Sequence, residues 1–581
     1  VEIEFPSYAY DFEGRTVYRD GKEVRFNDRK DFSLTKTSTA SGYEDKRTLA
    51  IPPGVTSDCV VEMRWAYLGN YPYGPFPSGI YQLTVPFGGA FRTLVAAVEI
   101  PGNYPLSWQL FAAPNQKPVE TRGKIERILT LENLPAFEQT PYSLDAVEPY
   151  PKVCVYYQPE YVGSFVKKPP MDYWNAVVKT YFKTTYGSDV KIGDAFRAFA
   201  SNLVQELAPD LDPAAKAFKL LLRLQAEWVN TDELSFGQQA KRTRKQDKQD
   251  WNPSDLEAAA IAKETDPEGF SIAYLHLLKA AGCKPHLGLV INRMKRIFDV
   301  NFRNLWQFQE GTTLVGIEVP GQGIQWFEPS AFQANPGLIL PNYQGTIGLD
   351  VDVATWTIKD LVVPTQTQGT NQWRFDYTVR PGEEQDSFTL SSMFTGFPEY
   401  SLRSQYRPLE PKEQSRLLKE GLEAHIPGST IQKAEILHAA DPSLHLAWAV
   451  EGQMEGRTGR RKEVTIFPGM TKPVIAPSSM PAERTRNIYL PHLWTHTATS
   501  RILIPKGYHC GPLPPAQKAN AFGTVNWSAA SAPKGDQTEI TITLKMEMNR
   551  ASASPAGYDQ LKAYLAWVQE YCNRTLILDK D

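Results

Sequence analysis

A chain of 581 residues exceeds what one hydrophobic core organises, so three or four domains are expected. With 42% hydrophobic and 22% charged residues its composition is that of ordinary folded protein. A formal net charge of -3 and an isoelectric point near 6.3 supply no basic field, which argues against nucleic acid as the main partner.

Val1 falls in a strand-like pattern, with neither an initiating Met nor a signal peptide, so a cleaved or missing upstream segment is expected. Residues 1 to about 165 read as β structure: apolar and polar residues alternate in Val1–Phe5, Cys59–Met63 and Thr93–Ile100, with Pro/Gly turns between them. From about 171 the period becomes helical, over 172–185, 193–207 and 212–230, where Ala217, Leu220, Leu221, Leu224 and Trp228 share one face. A basic polar stretch, Lys241 to Asp250, reads as a surface loop, and helices follow at 254–263 and 268–281. Strands are expected at 285–292, 312–319 and 324–328. Residues 351 to about 400 and 432–466 read as β with one helix near 410–424. The last strands fall around 500–505, 520–527 and 537–547, before an amphipathic helix at 557–572. The order is β, then α/β, then β, with no segment long and apolar enough to span a bilayer.

The run of three helices, loop, helix and strands resembles the papain-like core of transglutaminase-like proteins. The flanks are similar to the domains that bracket this core in a bacterial family of unknown function. Upstream the likeness rests on Thr48–Val55 (TLAIPPGV) and Leu131–Phe137 (LENLPAF), and downstream on Ile502–Tyr508 (ILIPKGY), Pro512–Pro514, Tyr558 and Leu561. The resemblance implies a multidomain α+β fold. An N-terminal β-sandwich over 1–165, lacking its first strands, leads to a transglutaminase-like α/β core over 166–350. A β-rich domain with one helix over 351–480 precedes a β domain with a terminal helix over 481–581. It also implies export to the periplasm or outer surface of a bacterial cell.

A core of this type needs a cysteine thiolate in the first turn of a helix, where the helix dipole and a nearby histidine lower its pKa. Here the helix start reads Asp266-Pro267-Glu268, and Pro267 falls where the resemblance puts the cysteine. Asp266 suits the cap, Pro267 the first helical position and Glu268 the positive end of the dipole. The histidine strand offers Thr312 and Thr313, and Glu328-Pro329-Ser330 stands in place of an Asp-Pro-Thr turn. The expectation is therefore a pseudoenzyme without catalytic residues, cofactor or metal. Its vestigial cleft, formed by Asp266, Pro267, Glu268, Thr312, Thr313 and Glu328, would hold a protein or glycan of the cell envelope. The alternatives are an active cysteine hydrolase or acyltransferase of the same fold, a surface glycan-binding protein and a structural subunit of an envelope assembly.

The remaining candidates are weaker. Cys59, Cys154, Cys283, Cys510 and Cys572 stand singly without CxxC or CxH spacing, so no zinc knuckle, redox motif or disulfide framework is expected. Cys283 and His286 form the one close Cys/His pair of the core, but past the carboxyl end of a helix, where the dipole disfavours a thiolate, and Cys283 reads as a buried structural residue. His492, His496 and His509 read as scattered surface histidines, and Asp350 with Asp352 as too few acids for calcium. The loop Gly69–Gly79, with Tyr71, Tyr73 and Phe76 and with Tyr81 just beyond, offers rigid aromatic contact area for a partner or sugar. Lys241–Lys245 reads as a solvated loop.

Overall fold

The computed structural model describes residues 167–233 and 252–580, apart from 295–297, 333, 427, 456–460, 471–479, 481 and 485–486. Before residue 166 it describes the strands between Ile3 and Tyr157, the turn segments 19–22 and 51–58, and residue 165. The chain divides into two compact units, Val1–Ser78 with Thr231–Trp251, and Gly79–Asn230 with Asn252–Asp581. It is a multidomain α+β protein, and no helix among the described residues is long and apolar enough to cross a membrane.

The first unit contains two antiparallel three-stranded sheets. One orders Ile3–Pro6, Glu44–Ala50 and Phe32–Ser38; the other orders Glu23–Phe26, Ala9–Tyr18 and Cys59–Tyr67. In the second sheet Phe26 is buried over Gly14, where a Cβ would lie 2.2 Å from the ring, so glycine makes room for the aromatic. The Pro52-Pro53-Gly54 turn is tied down by two strand side chains: Thr16 Oγ1 donates to Pro53 O at 2.8 Å and Tyr18 Oη to Gly54 O at 2.6 Å.

The second unit opens with two more antiparallel three-stranded sheets, Gly79–Thr84, Lys152–Tyr157 and Leu106–Phe111 in one, and Val119–Arg122, Glu126–Leu134 and Phe91–Glu99 in the other. The α/β module follows. Its helices are Pro170–Val177, continued by π-helical turns at Val178–Phe182 and Thr184–Ser188, then Asp194–Gln205, Pro213–Glu227, Leu256–Ala262 and Pro267–Ala280. They pack on a five-stranded antiparallel sheet ordered 323–327, 311–319, 285–291, 347–352 and 357–362.

Local chemistry starts these helices. Asp212 Oδ1 accepts from Ala215 N at 3.0 Å ahead of Pro213, while Leu220, Leu221 and Leu224 take the buried face. Helix Asp194–Gln205 lacks a cap of its own, and the Glu257 carboxylate from the neighbouring helix accepts from Ala195 N at 2.9 Å and Phe196 N at 3.3 Å instead. Strand Pro285–Ile291 is buried along its length between helices and sheet neighbours, which is why its sequence runs apolar without alternation.

The last part of the chain builds an eight-stranded sheet in the order 429–437, 447–455, 385–395, 372–380, 494–504, 537–548, 523–534 and 516–520. Strands Gln372–Arg380 and Trp494–Ile504 run parallel and the other pairs antiparallel. One sheet thus takes strands from both sides of residue 480, where the sequence reading sets a boundary. Helix Tyr558–Cys572 buries Leu561, Tyr564, Leu565 and Val568 in the core of this sheet, and strand Thr575–Lys580 joins a small sheet with Arg461–Thr465 and Tyr508–Cys510. Helix Phe397–Tyr406 begins in the last residues of the stretch to about 400 that the sequence reads as β and runs on where no element is expected. It starts after Gly396, whose φ of 67° lets the chain turn sharply out of strand Gln385–Thr395.

Candidate functional site

At the amino end of helix Pro267–Ala280 lies a cavity of about 330 Å³. Asp266 caps the helix, its Oδ1 accepting from Gly269 N at 2.7 Å, and Pro267 occupies the first turn, where it brings no N–H of its own. Pro267, Glu268 and Ser271 form one wall, and Gly311, Thr312 and Thr313, at the start of strand Gly311–Val319, form the facing wall. The third wall is aromatic: Tyr181, Phe182 and Tyr186 come from the π-helical turns and Phe308 from the 3-10 turn Leu305–Glu310. In π winding, residues five apart stack along one side, which is how Tyr181 and Tyr186 reach the same cavity.

The hydroxyls of this cavity are largely engaged within the protein. Tyr186 Oη and Thr313 Oγ1 are 2.8 Å apart, Thr312 Oγ1 lies 3.1 Å from Ser330 Oγ, and Ser271 Oγ donates to Pro267 O and Thr313 O, each at 3.3 Å. Glu268 is open to water yet sunk in the concavity. Partial loss of solvent, with the Asp266 charge beside it, holds its carboxyl above the usual carboxylate range, and a hydrogen bond from Tyr186 opposes the rise.

Four of the six cleft residues expected from the sequence, Pro267, Glu268, Thr312 and Thr313, line this cavity. Asp266 and Glu328 do not. Asp266 is taken by the cap. Glu328 is buried behind the sheet edge, where its Oε2 accepts from Leu340 N at 2.6 Å, and burial pushes its carboxyl up to about 8. The position read as a relic of the orienting aspartate therefore serves the 328–340 loop, and the neighbouring Ser330 bonds Thr312 in its place. Among the described residues that line the cavity there is no cysteine or histidine.

Residues 464–578 match DUF3858, a domain of unknown function with a solved structure. Over its whole length the chain is similar in fold to a crystal structure of a candidate protease from Parabacteroides distasonis. The two share 14% identity at a TM-score of 0.54, with 100% of this chain and 91% of that chain covered. At that identity the likeness speaks for the fold alone. No curated protein matches the chain.

The thiol and imidazole at the other end of the helix share no hydrogen bond. Gly282, at φ 74°, ends the helix, and Cys283 N bonds Leu278 O at 2.9 Å. Cys283 is part-exposed, not buried as its sequence suggested, and shares a cavity of about 610 Å³ with His286, Glu318 and Lys216. Both ring nitrogens of His286 face carboxylates, Nδ1 at 2.8 Å from Asp350 and Nε2 at 3.6 Å from Glu318. Burial alone would lower the imidazole pKa, but the Asp350 hydrogen bond and the charges of Asp350, Asp352 and Glu318 raise it. Burial also pushes the Cys283 thiol up, against the nearby Lys216 charge.

Asp350 is thus spent on His286. Asp352 closes a turn, accepting from Ala354 N at 2.8 Å and from Thr355 Oγ1 at 2.9 Å. Among the described residues no group of three or more His, Cys, Asp or Glu is arranged to hold a metal.

His492 and His496 differ most from expectation. They are buried against Trp373, which stacks on His492 at 5.9 Å and on His496 at 6.3 Å between ring centroids. Neither imidazole has a hydrogen-bond partner among the described residues. Strand Trp494–Ile504 explains His496: its inward face runs Trp494, His496, Ala498, Ser500 and Ile502, so alternation alone carries the histidine into the core. His509 is exposed, as expected. Tyr71, Tyr73, Phe76 and Lys241–Lys245 lie outside the described residues. Tyr81 lies in strand Gly79–Thr84, opposite Val155.

Proposed function

We propose that this chain is a non-catalytic protein with a transglutaminase-like core, a binding or scaffolding component of a bacterial cell envelope. Its ligand, a peptide or glycan, enters the cleft at the start of helix Pro267–Ala280. The observation that carries this reading is the cavity wall, whose described residues offer aromatic rings, hydroxyls and a carboxylate, and neither thiol nor imidazole.

Acyl transfer through cysteine needs a thiolate at the positive helix end, an imidazole within hydrogen-bond reach and a group to orient that imidazole. Pro267 brings no nucleophile, Thr312 bonds Ser330 and is no base near neutral pH, and the Glu328 carboxyl is held by Leu340 N. The likeness to a candidate protease fits a hydrolase-type scaffold put to another use. The domain frame of 1–165 and 166–350 belongs to this proposal, with 351–480 and 481–581 joined through the eight-stranded sheet. So does export to the periplasm or outer surface, and both rest on the resemblance of the flanks.

The test is turnover by the full chain on fluorogenic peptide amides and on amine-transfer substrates, with and without iodoacetamide. Rates equal to buffer in every condition are expected. Turnover that iodoacetamide abolishes would overturn the proposal and turn attention to Cys283.

A further inference from the structure

The cleft also carries information about what it holds, on the reading that it is a binding site. We infer that its ligand is a guanidinium group, presented as an arginine side chain on a peptide.

The first support is charge. Glu268 places negative charge on the cavity wall, with the capping Asp266 close behind it, and among the described residues that line the cavity there is no Lys, Arg or His. A site walled this way leaves the positive partner to the ligand. The second support is the wall. Tyr181, Phe182, Tyr186 and Phe308 surround the space, with Phe182 centred 6.3 Å from Tyr186 and 6.2 Å from Phe308. Aromatic faces attract cations, and a guanidinium stacks on them while its fork of N–H groups meets a carboxylate in the plane. An ammonium is more strongly hydrated and lacks the planar fork. The third support is size and hydrogen bonding. About 330 Å³ suits one long side chain. Thr312, Thr313 and Ser271 already bond within the protein, which leaves few free partners for the many hydroxyls of a sugar. The Glu268 carboxylate takes a bond from Tyr186 and keeps further lone pairs for incoming donors.

The test is titration of the intact chain, by calorimetry and by two-dimensional NMR, with four blocked tripeptides of Gly-X-Gly type. X is arginine, citrulline, lysine or norleucine, and chitobiose serves as a neutral sugar probe. Arginine is expected to bind at least tenfold more tightly than citrulline, which keeps the shape without the charge. Glu268→Gln, at a water-exposed position, should fold normally and bring the two to equal affinity. Equal binding of arginine and citrulline, or tighter binding of chitobiose, would overturn the guanidinium assignment and leave the binding proposal standing. Lysine as tight as arginine would also overturn the choice of guanidinium while keeping the requirement for positive charge. Failure of every probe to shift resonances of Tyr186 or Phe308 would overturn both proposals.

Discussion

Replacing His496 with leucine should make the carboxyl-terminal sheet far less sensitive to acid than the parent chain. His496 is fully buried beside Phe375, 5.0 Å between ring centroids, and burial lowers its imidazole pKa from 6.5 to about 3. His492, at about 4, is depressed by burial and by the Arg293 charge. The unfolded chain protonates near pH 6.5 and the folded chain only well below that. Stability from each neutral ring is therefore complete above pH 6.5 and lost as the pH falls from there toward 4 or 3. Between pH 7.5 and 4.5 the loss is about 2.5 kcal/mol for each ring, since one pKa unit is about 1.4 kcal/mol. A leucine at this position does not titrate, so the stability difference between parent and His496→Leu should shift toward the variant by about 2.5 kcal/mol over that range. Guanidinium unfolding followed by tryptophan fluorescence at several pH values measures it, with Trp373 and Trp494 as nearby reporters. The slope with pH is the readout, because any change in packing shifts the stability at every pH alike. Parallel stability curves for parent and variant would refute the reasoning and place the imidazole in contact with water.

Glu328→Gln should act in the opposite direction of pH. The folded carboxyl near 8 lies above its unfolded value, so the fold favours the protonated acid and loses stability as pH rises from about 4.5 to 8. The amide keeps the acceptor for Leu340 N and does not ionise, so by pH 9 the variant should gain on the order of 4 kcal/mol over the parent relative to pH 4, measured by the same unfolding series. Arg403→Ala should destabilise the chain by about 3–5 kcal/mol, because it takes from the buried Glu399 carboxylate its charge partner at 2.6 Å and removes the donor to three carbonyls, those of His438, Ala439 and Leu444; restoration by a second change, Glu399→Gln, separates charge from lost packing. The double variant Pro267→Cys with Thr312→His should remain inactive, with a thiol of pKa at or above about 8.5, because Glu268 sits beside it and Glu328 is held away from position 312; the rate of alkylation by iodoacetamide against pH reads the value directly.

The helices of the α/β module are legible in the sequence because each level of local chemistry agrees. Asp212-Pro213 and Asp266-Pro267 are the same kind of start signal, each followed by apolar residues at helical spacing; the cap expected at Asp266 forms, and Asp212 caps its helix in the same way. Helix Phe397–Tyr406 is not legible in this way: it is ten residues long and buries its polar Glu399 and Arg403, so its apolar period is faint. Nor is the parallel pairing of Gln372–Arg380 with Trp494–Ile504, since the two strands lie far apart in sequence and no turn sets their register. His496 reads as a surface residue because polarity is a poor guide on a strand whose alternation points inward, and His492, just before that strand, carries no periodic signal at all. In the cleft, the polar wall follows from the spacing of helix and strand, whereas the aromatic wall depends on π turns that an α-helical reading of 172–185 does not contain.

The two glutamates at the core show how one architecture gives the same residue type opposite roles. Glu268 enters the first turn of a capped helix, keeps contact with water and borders a cavity lined by aromatic rings. Its charge is available to whatever enters. Glu328 sits at the end of strand Gly323–Phe327, where the chain turns under the sheet, and its carboxyl is drawn to a backbone N–H that would otherwise be buried without a partner. Its ionisation is suppressed and its hydrogen bond supports the loop. A triad would require the second glutamate to face the cavity and orient a base there. The bond between Thr312 and Ser330 already closes that side, and among the described residues lining the cavity Glu268 is the carboxylate left facing it. That division of labour, one carboxylate turned to structure and one left open, is the arrangement the proposed site for a cationic side chain calls for.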